Sequence, residues 1–88
     1  MASRRVLKRV INAEIAEVID HCYDVIAASP EKEEKATVIV DASVELYDNL
    51  IIAVNEYKSA ESKSAYFAEI ESKLDKELEV LNQKVATL

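Results

Sequence analysis

Lys58-Ser59-Ala60-Glu61-Ser62-Lys63-Ser64 is the stretch on which the fold depends. Apolar residues recur at helical spacing on both sides of it, whereas within it Ala60 is the only apolar side chain and three serines offer helix caps. If this stretch continues the helix, Pro30 to the C-terminus is one rod of about 59 residues, near 88 Å long at roughly 1.5 Å per residue, and it needs a second chain beside it. If it breaks, the chain folds back on itself. The break is the expectation, because a lone rod exposes two long apolar stripes. At about 25 cal/mol per Å² of apolar surface, covering a few hundred Å² outweighs the entropy of closing a short connection. Neither Gly nor Pro marks the boundary, so its position is soft.

N-terminal to the break, helix 2 is expected from about Pro30 to Tyr57 with two adjacent apolar rows. Ile39, Ser43, Leu46, Leu50, Ala53 and Tyr57 form one; Val40, Val44, Tyr47, Ile51 and Val54 form the other. So broad a surface suits a central helix touching two neighbours. The β-branched run Thr37-Val38-Ile39-Val40-Asp41 resembles a buried strand locally. No glycine turn follows it and no second such run exists to pair with it, so helix is the better reading. Helix 3, from about residue 63 to 87, repeats Phe67, Ile70, Leu74, Leu78, Leu81, Val85 and Leu88 at spacings of three and four.

Helix 1, from about residue 4 to 28, carries Leu7, Ile11, Ile15, Val18, Cys22 and Val25 on one face, widened by Ile19 and Ile26. It meets helix 2 at Ser29-Pro30-Glu31. Ser29 is a candidate cap, Pro30 supplies first-turn φ, and Glu31, Glu33 and Glu34 suit the positive end of the helix dipole. A connection that short between long helices predicts an antiparallel pair. The fold expectation is therefore all-α: one domain over residues 1–88, a three-helix antiparallel bundle assembled into a helical oligomer.

The 88 residues contain no glycine and one proline, which removes P-loops, dinucleotide fingerprints and nucleophile elbows. Half the residues are hydrophobic and 32% are charged, a balance that suits a packed bundle and not a disordered tail. One cysteine, Cys22, forms no intramolecular disulfide and makes no zinc-spaced pair, so a reducing, cytoplasmic setting is expected. Glu14, Glu17 and Asp20 interrupt the place where a signal peptide would need an apolar run. No cofactor, no catalytic activity and no membrane contact are expected.

Net charge is −6, unevenly placed. Arg4, Arg5, Lys8 and Arg9 give the first nine residues +4; the rest carries seven bases against 17 acids. An acidic body repels phosphate, so no nucleic acid partner is expected. Four cations in the first turns oppose their own helix dipole and ought to have partners. Folding back brings Glu56, Glu61 and Glu69 toward them, and pairing within or between chains is favoured over an external anion or nucleic acid at this tip.

Three further groups carry candidate chemistry. Glu17, His21 and Asp24 stand at i, i+4 and i+7 and could present two carboxylates and an imidazole to a metal, but helices 2 and 3 add no histidine. Asp41, Glu45, Asp48 and Glu56 form an acidic stripe on helix 2, read as a solvated face. Val38 and Ile52 interrupt that polar side two heptads apart and are candidate oligomer contacts. Cys22 lies on the apolar stripe and reads as a small buried hydrophobe.

Ser3-Arg4-Arg5, Leu7-Lys8, Ile11-Asn12, Glu17 and Cys22 together resemble the opening helix of a family of small uncharacterised cytosolic proteins from Bacteroidetes. The similarity covers about the first quarter of the chain. It implies a helical fold and an intracellular bacterial setting, with no catalytic residue to carry over. The function expected is a small protein-interaction or scaffold module that self-associates and binds a protein partner the sequence does not identify.

Overall fold

The computed structural model describes residues 4–59 and 61–88, the side chain of Ser59 excepted. Ser3 of the first-helix resemblance, Ser59 as a capping side chain and Ala60 of the break lie outside the described residues. Three helices account for nearly all of the rest: α1 (Arg4–Ala28), α2 (Glu33–Asn55) and α3 (Lys63–Ala86), with single 3-10 turns at Pro30–Lys32 and Tyr57–Ser59. The run Thr37 to Asp41 lies inside α2. Among the described residues none has positive φ, so both connections are made without the left-handed conformation that glycine favours.

The first connection is made by backbone groups. Ser29 N–H donates to the Val25 carbonyl at 2.7 Å, closing α1, and the Ser29 carbonyl accepts from Lys32 N–H at 2.9 Å, opening the next turn. The expected side-chain cap does not form: Ser29 sits at φ −142, ψ 81, and its hydroxyl makes no capping hydrogen bond. Pro30 takes the first-turn position where its missing N–H costs nothing. The regular α-helix accordingly starts three residues later than expected, at Glu33.

The second connection breaks the helix where the sequence loses its apolar rhythm. Glu56 N–H reaches back to the Ile52 and Ala53 carbonyls at 3.2 Å each, and α2 stops there. Ser62 then takes extended geometry, φ −128 and ψ 114, and its Oγ accepts from Ala65 N–H at 3.3 Å to cap α3. Tyr66 Oη donates to the Ala53 carbonyl at 2.6 Å, tying the first turn of α3 to the last turn of α2. The chain is 48 Å in its longest dimension, which rules out the rod of about 88 Å.

Each helix contributes one stripe to a single apolar cluster. Leu7, Ile11, Ile15, Val18 and Cys22 come from α1; Ala36, Ile39, Leu46, Leu50 and Val54 from α2; Phe67, Ile70, Leu74, Leu78 and Leu81 from α3. Ser43, wholly buried among them, donates its hydroxyl to the Ile39 carbonyl one turn back at 2.8 Å, so it needs no polar neighbour. The cluster is long and one side chain thick. With a radius of gyration of 14.5 Å, against about 12 Å for a compact chain of this length, and extents of 48 × 17 × 17 Å, the molecule is elongated along its helices.

Candidate functional site

At one end of the molecule the start of α1, the end of α2 and the start of α3 meet on one ring. The Arg4 guanidinium lies 5.3 Å from the centroid of Tyr57 and the Lys63 ammonium 5.0 Å from it. Tyr57 in turn packs against Phe67 at 5.8 Å, and Phe67 against Tyr66 at 6.2 Å. Each cation over the ring is worth about 0.5–1 kcal/mol at such an exposed place. The sequence held Tyr57 only as the end of an apolar row; its role as the seat of two cations needed the third helix in position.

Arg4 thus finds an aromatic partner where a carboxylate was expected. Arg5, Lys8 and Arg9 form no ion pair with a carboxylate among the described residues. The pairing expected within the chain is therefore not made by these three. Arg5 and Arg9 are exposed and Lys8 is half-buried.

Glu17 and His21 share a shallow cleft between α1 and α3 with Glu14, Val18, Asn82, Val85 and Ala86, and Asp24 does not line it. Glu17, His21 and Asp24 are all exposed on one side of α1, with Asp24 beyond the edge of the cleft. Among the described residues no three Asp, Glu, His or Cys side chains are placed to hold a metal ion. Asp41, Glu45, Asp48 and Glu56 are exposed along α2. Cys22 is fully buried and unbridged, and burial pushes its thiol pKa up, away from the nucleophilic thiolate.

Val38 and Ile52 are strongly exposed, at 65% and 55%, yet they do not make a patch. Fourteen residues separate them, about 21 Å along the axis, with Glu45 exposed between. The apolar surface that does gather lies elsewhere, between α1 and α2. A cleft of about 170 Å³ is lined by Asn12, Ile15, Ala16, Ile19, Val44 and Tyr47, with no residue of α3.

This groove follows from the two rows of α2. The row through Ile39, Leu46 and Leu50 is buried in the shared cluster; of the second row, Val54 is wholly buried in that cluster, while Val40, Tyr47 and Ile51 are half-buried against it and Val44 is exposed. Val44 remains 45% exposed and Tyr23, beyond Ile19 on the α1 side, 57%. The breadth of α2 was legible in the sequence; that Ala16 and Asn12 form the opposite wall was not, since a small and a polar residue carry no hydrophobic signal.

Both ends of the groove mix charges: Arg5, Lys8 and Arg9 at the start of α1 face the end of α2, with Asp48 and Glu56, and Asp20 and Asp24 toward the end of α1 face its start, with Glu31, Lys32, Glu33, Glu34 and Lys35. No family model, curated protein or solved structure matches this chain. The resemblance of the first helix to the Bacteroidetes family rests on the residues quoted for it alone. Among the described residues no helix is long and apolar enough to cross a membrane.

Proposed function

We propose that the chain is a single-domain, antiparallel three-helix bundle that acts as a protein-interaction module in the cytoplasm and associates with itself through the α1–α2 groove. The observation that carries this reading is the apolar cleft between α1 and α2, where Val44 and Tyr47 of the second row stand with Ile15, Ala16 and Ile19 and no residue of α3 lines the cleft.

Sedimentation equilibrium from micromolar to hundreds of micromolar tests the proposal. The expected result is a species heavier than the 9.8 kDa chain that Val44→Glu returns to monomer without loss of helix content. A monodisperse 9.8 kDa wild type overturns it. Catalysis has no support in the arrangement: the one thiol is buried, and the only histidine is exposed on a polar flank.

A further inference from the structure

We propose that the end of the bundle where α1 and α3 begin binds a compact multivalent phosphate, a di- or triphosphate group, through Arg4, Arg5, Lys8, Arg9 and Lys63. None of these residues lines the α1–α2 cleft, so the site is separate from it and is complete in a single chain.

Positive charge is concentrated at this end. Arg4, Arg5, Lys8, Arg9, Lys58 and Lys63 are six of the 11 bases in the chain. Counted as widely as Asp48, Glu56, Glu61 and Glu69, the acids here number four, which leaves five bases against 13 acids for the rest. Because α1 and α3 both start here, two helix dipoles add their positive ends to the same place.

The chain does not neutralise this charge from within. In the first turns of α1 the cations stand as two like-charged i,i+4 pairs, Arg4 with Lys8 and Arg5 with Arg9, an arrangement that works against the helix. Internal carboxylates were the expected relief, yet Arg5, Lys8 and Arg9 form no ion pair among the described residues. An anion bound across both pairs removes the repulsion as well as making new contacts.

Tyr57 holds part of the site ready. Its ring seats the Arg4 guanidinium at 5.3 Å and the Lys63 ammonium at 5.0 Å, so cations from two helices are gathered before a ligand arrives. Side chains already confined lose less freedom on binding. Helical neighbours at i,i+4 have Cβ atoms about 5–6 Å apart, a spacing at which one ligand with adjacent phosphate groups touches both. Guanidinium forks match phosphate oxygens in pairs, and Lys8 and Lys63 add point charge. A long polyanion fits worse, since beyond this end it runs along the body that carries the other 13 acids.

Inorganic tripolyphosphate titrated into the isotope-labelled chain at about 50 mM salt tests this by amide chemical shifts, with sodium chloride of matched ionic strength as the control. Saturable one-to-one binding is expected, with shifts confined to the starts of α1 and α3 and to Tyr57. Arg5→Gln with Arg9→Gln, both at exposed positions, should weaken it on the order of tenfold. Lys32→Gln with Lys35→Gln removes the same charge at the opposite end and should change it by no more than about twofold. Shifts that chloride reproduces, that spread over the whole molecule, or that the two double variants reduce equally overturn the proposal. Phosphatidylcholine vesicles with one-fifth phosphatidic acid, and duplex DNA, serve as competing arms. Vesicle binding that tripolyphosphate displaces supports the proposal with a lipid headgroup as the source of the phosphate; vesicle or DNA binding that it does not displace overturns it.

Discussion

Removing one hydroxyl should loosen the seam between α2 and α3. In Tyr66→Phe the ring keeps its place beside Phe67, 6.2 Å away, but the 2.6 Å hydrogen bond to the Ala53 carbonyl is lost. A typical intramolecular hydrogen bond contributes about 0.5–1.5 kcal/mol net. Here the lower half of that range applies, about 0.5–1 kcal/mol, because the Ala53 carbonyl keeps a second donor in Glu56 N–H at 3.2 Å and is not orphaned. For a domain of this size that lowers Tm by roughly 2–8 °C. Circular dichroism melts at one fixed chain concentration read the shift, since association makes Tm concentration-dependent. Hydrogen exchange should also show the first amides of α3 losing protection before those of its centre. A Tm within 1 °C or so of wild type, with exchange at the start of α3 unchanged, would refute the view that this bond anchors the turn.

Leu50→Ala, at a residue only 1% exposed, should cost about 2–5 kcal/mol and show it as a large drop in denaturant midpoint. Ser62→Ala should cost about 1 kcal/mol through loss of the Ala65 cap and leave assembly intact, which melts and sedimentation check together. If the chain associates as proposed, Ile52→Glu should leave the assembly unchanged where Val44→Glu disrupts it, which sedimentation checks. Burial raises the Cys22 pKa above its ordinary 9.0, so the unfolded chain gives up this proton first as pH climbs. Stability from this group is full below pH 9.0 and falls above it, and a Cys22→Ala chain compared by urea melts from pH 8 to 10 should show a shallower fall.

Neutralising the four basic residues offers a check on the charge reading that needs no dimer. Replacing Arg4, Arg5, Lys8 and Arg9 by Gln should leave binding of duplex DNA as weak as in the wild type. Tight, salt-sensitive binding by the wild type that the variant loses would return the basic end to a nucleic-acid role.

The helices were legible because their information is local. Pro30 and the acids after it mark the start of α2, and the apolar spacings of α1 and α3 name the residues that become buried, from Leu7 to Cys22 and from Phe67 to Leu81. Ser62 could be read as a cap from its place before the periodic run, and its hydroxyl does cap. Ser29 looked equally suited, but there the proline-led 3-10 turn satisfies backbone groups from within and leaves the hydroxyl unused. Tertiary neighbours were harder to foresee. Arg4 was expected to seek a carboxylate and instead covers Tyr57, the aromatic ring that follows the end of α2. The groove was half visible: its α2 wall is a hydrophobic row, its α1 wall an alanine and an asparagine whose meaning depends on what faces them.

The absence of positive φ among the described residues of this glycine-free chain bears on its unfolded state as much as on its folded one. Each glycine that a loop does without narrows the set of conformations open to the denatured chain, an effect of about 0.4–1 kcal/mol per position where another residue fits unstrained. The 3-10 turns at Pro30–Lys32 and Tyr57–Ser59 are conformations that ordinary residues adopt, so the chain has less disorder to overcome on folding. Introducing glycine at Ser29 or Glu61 would widen the denatured ensemble without removing a side chain from the core. The stability of this bundle is held partly in the stiffness of the chain itself.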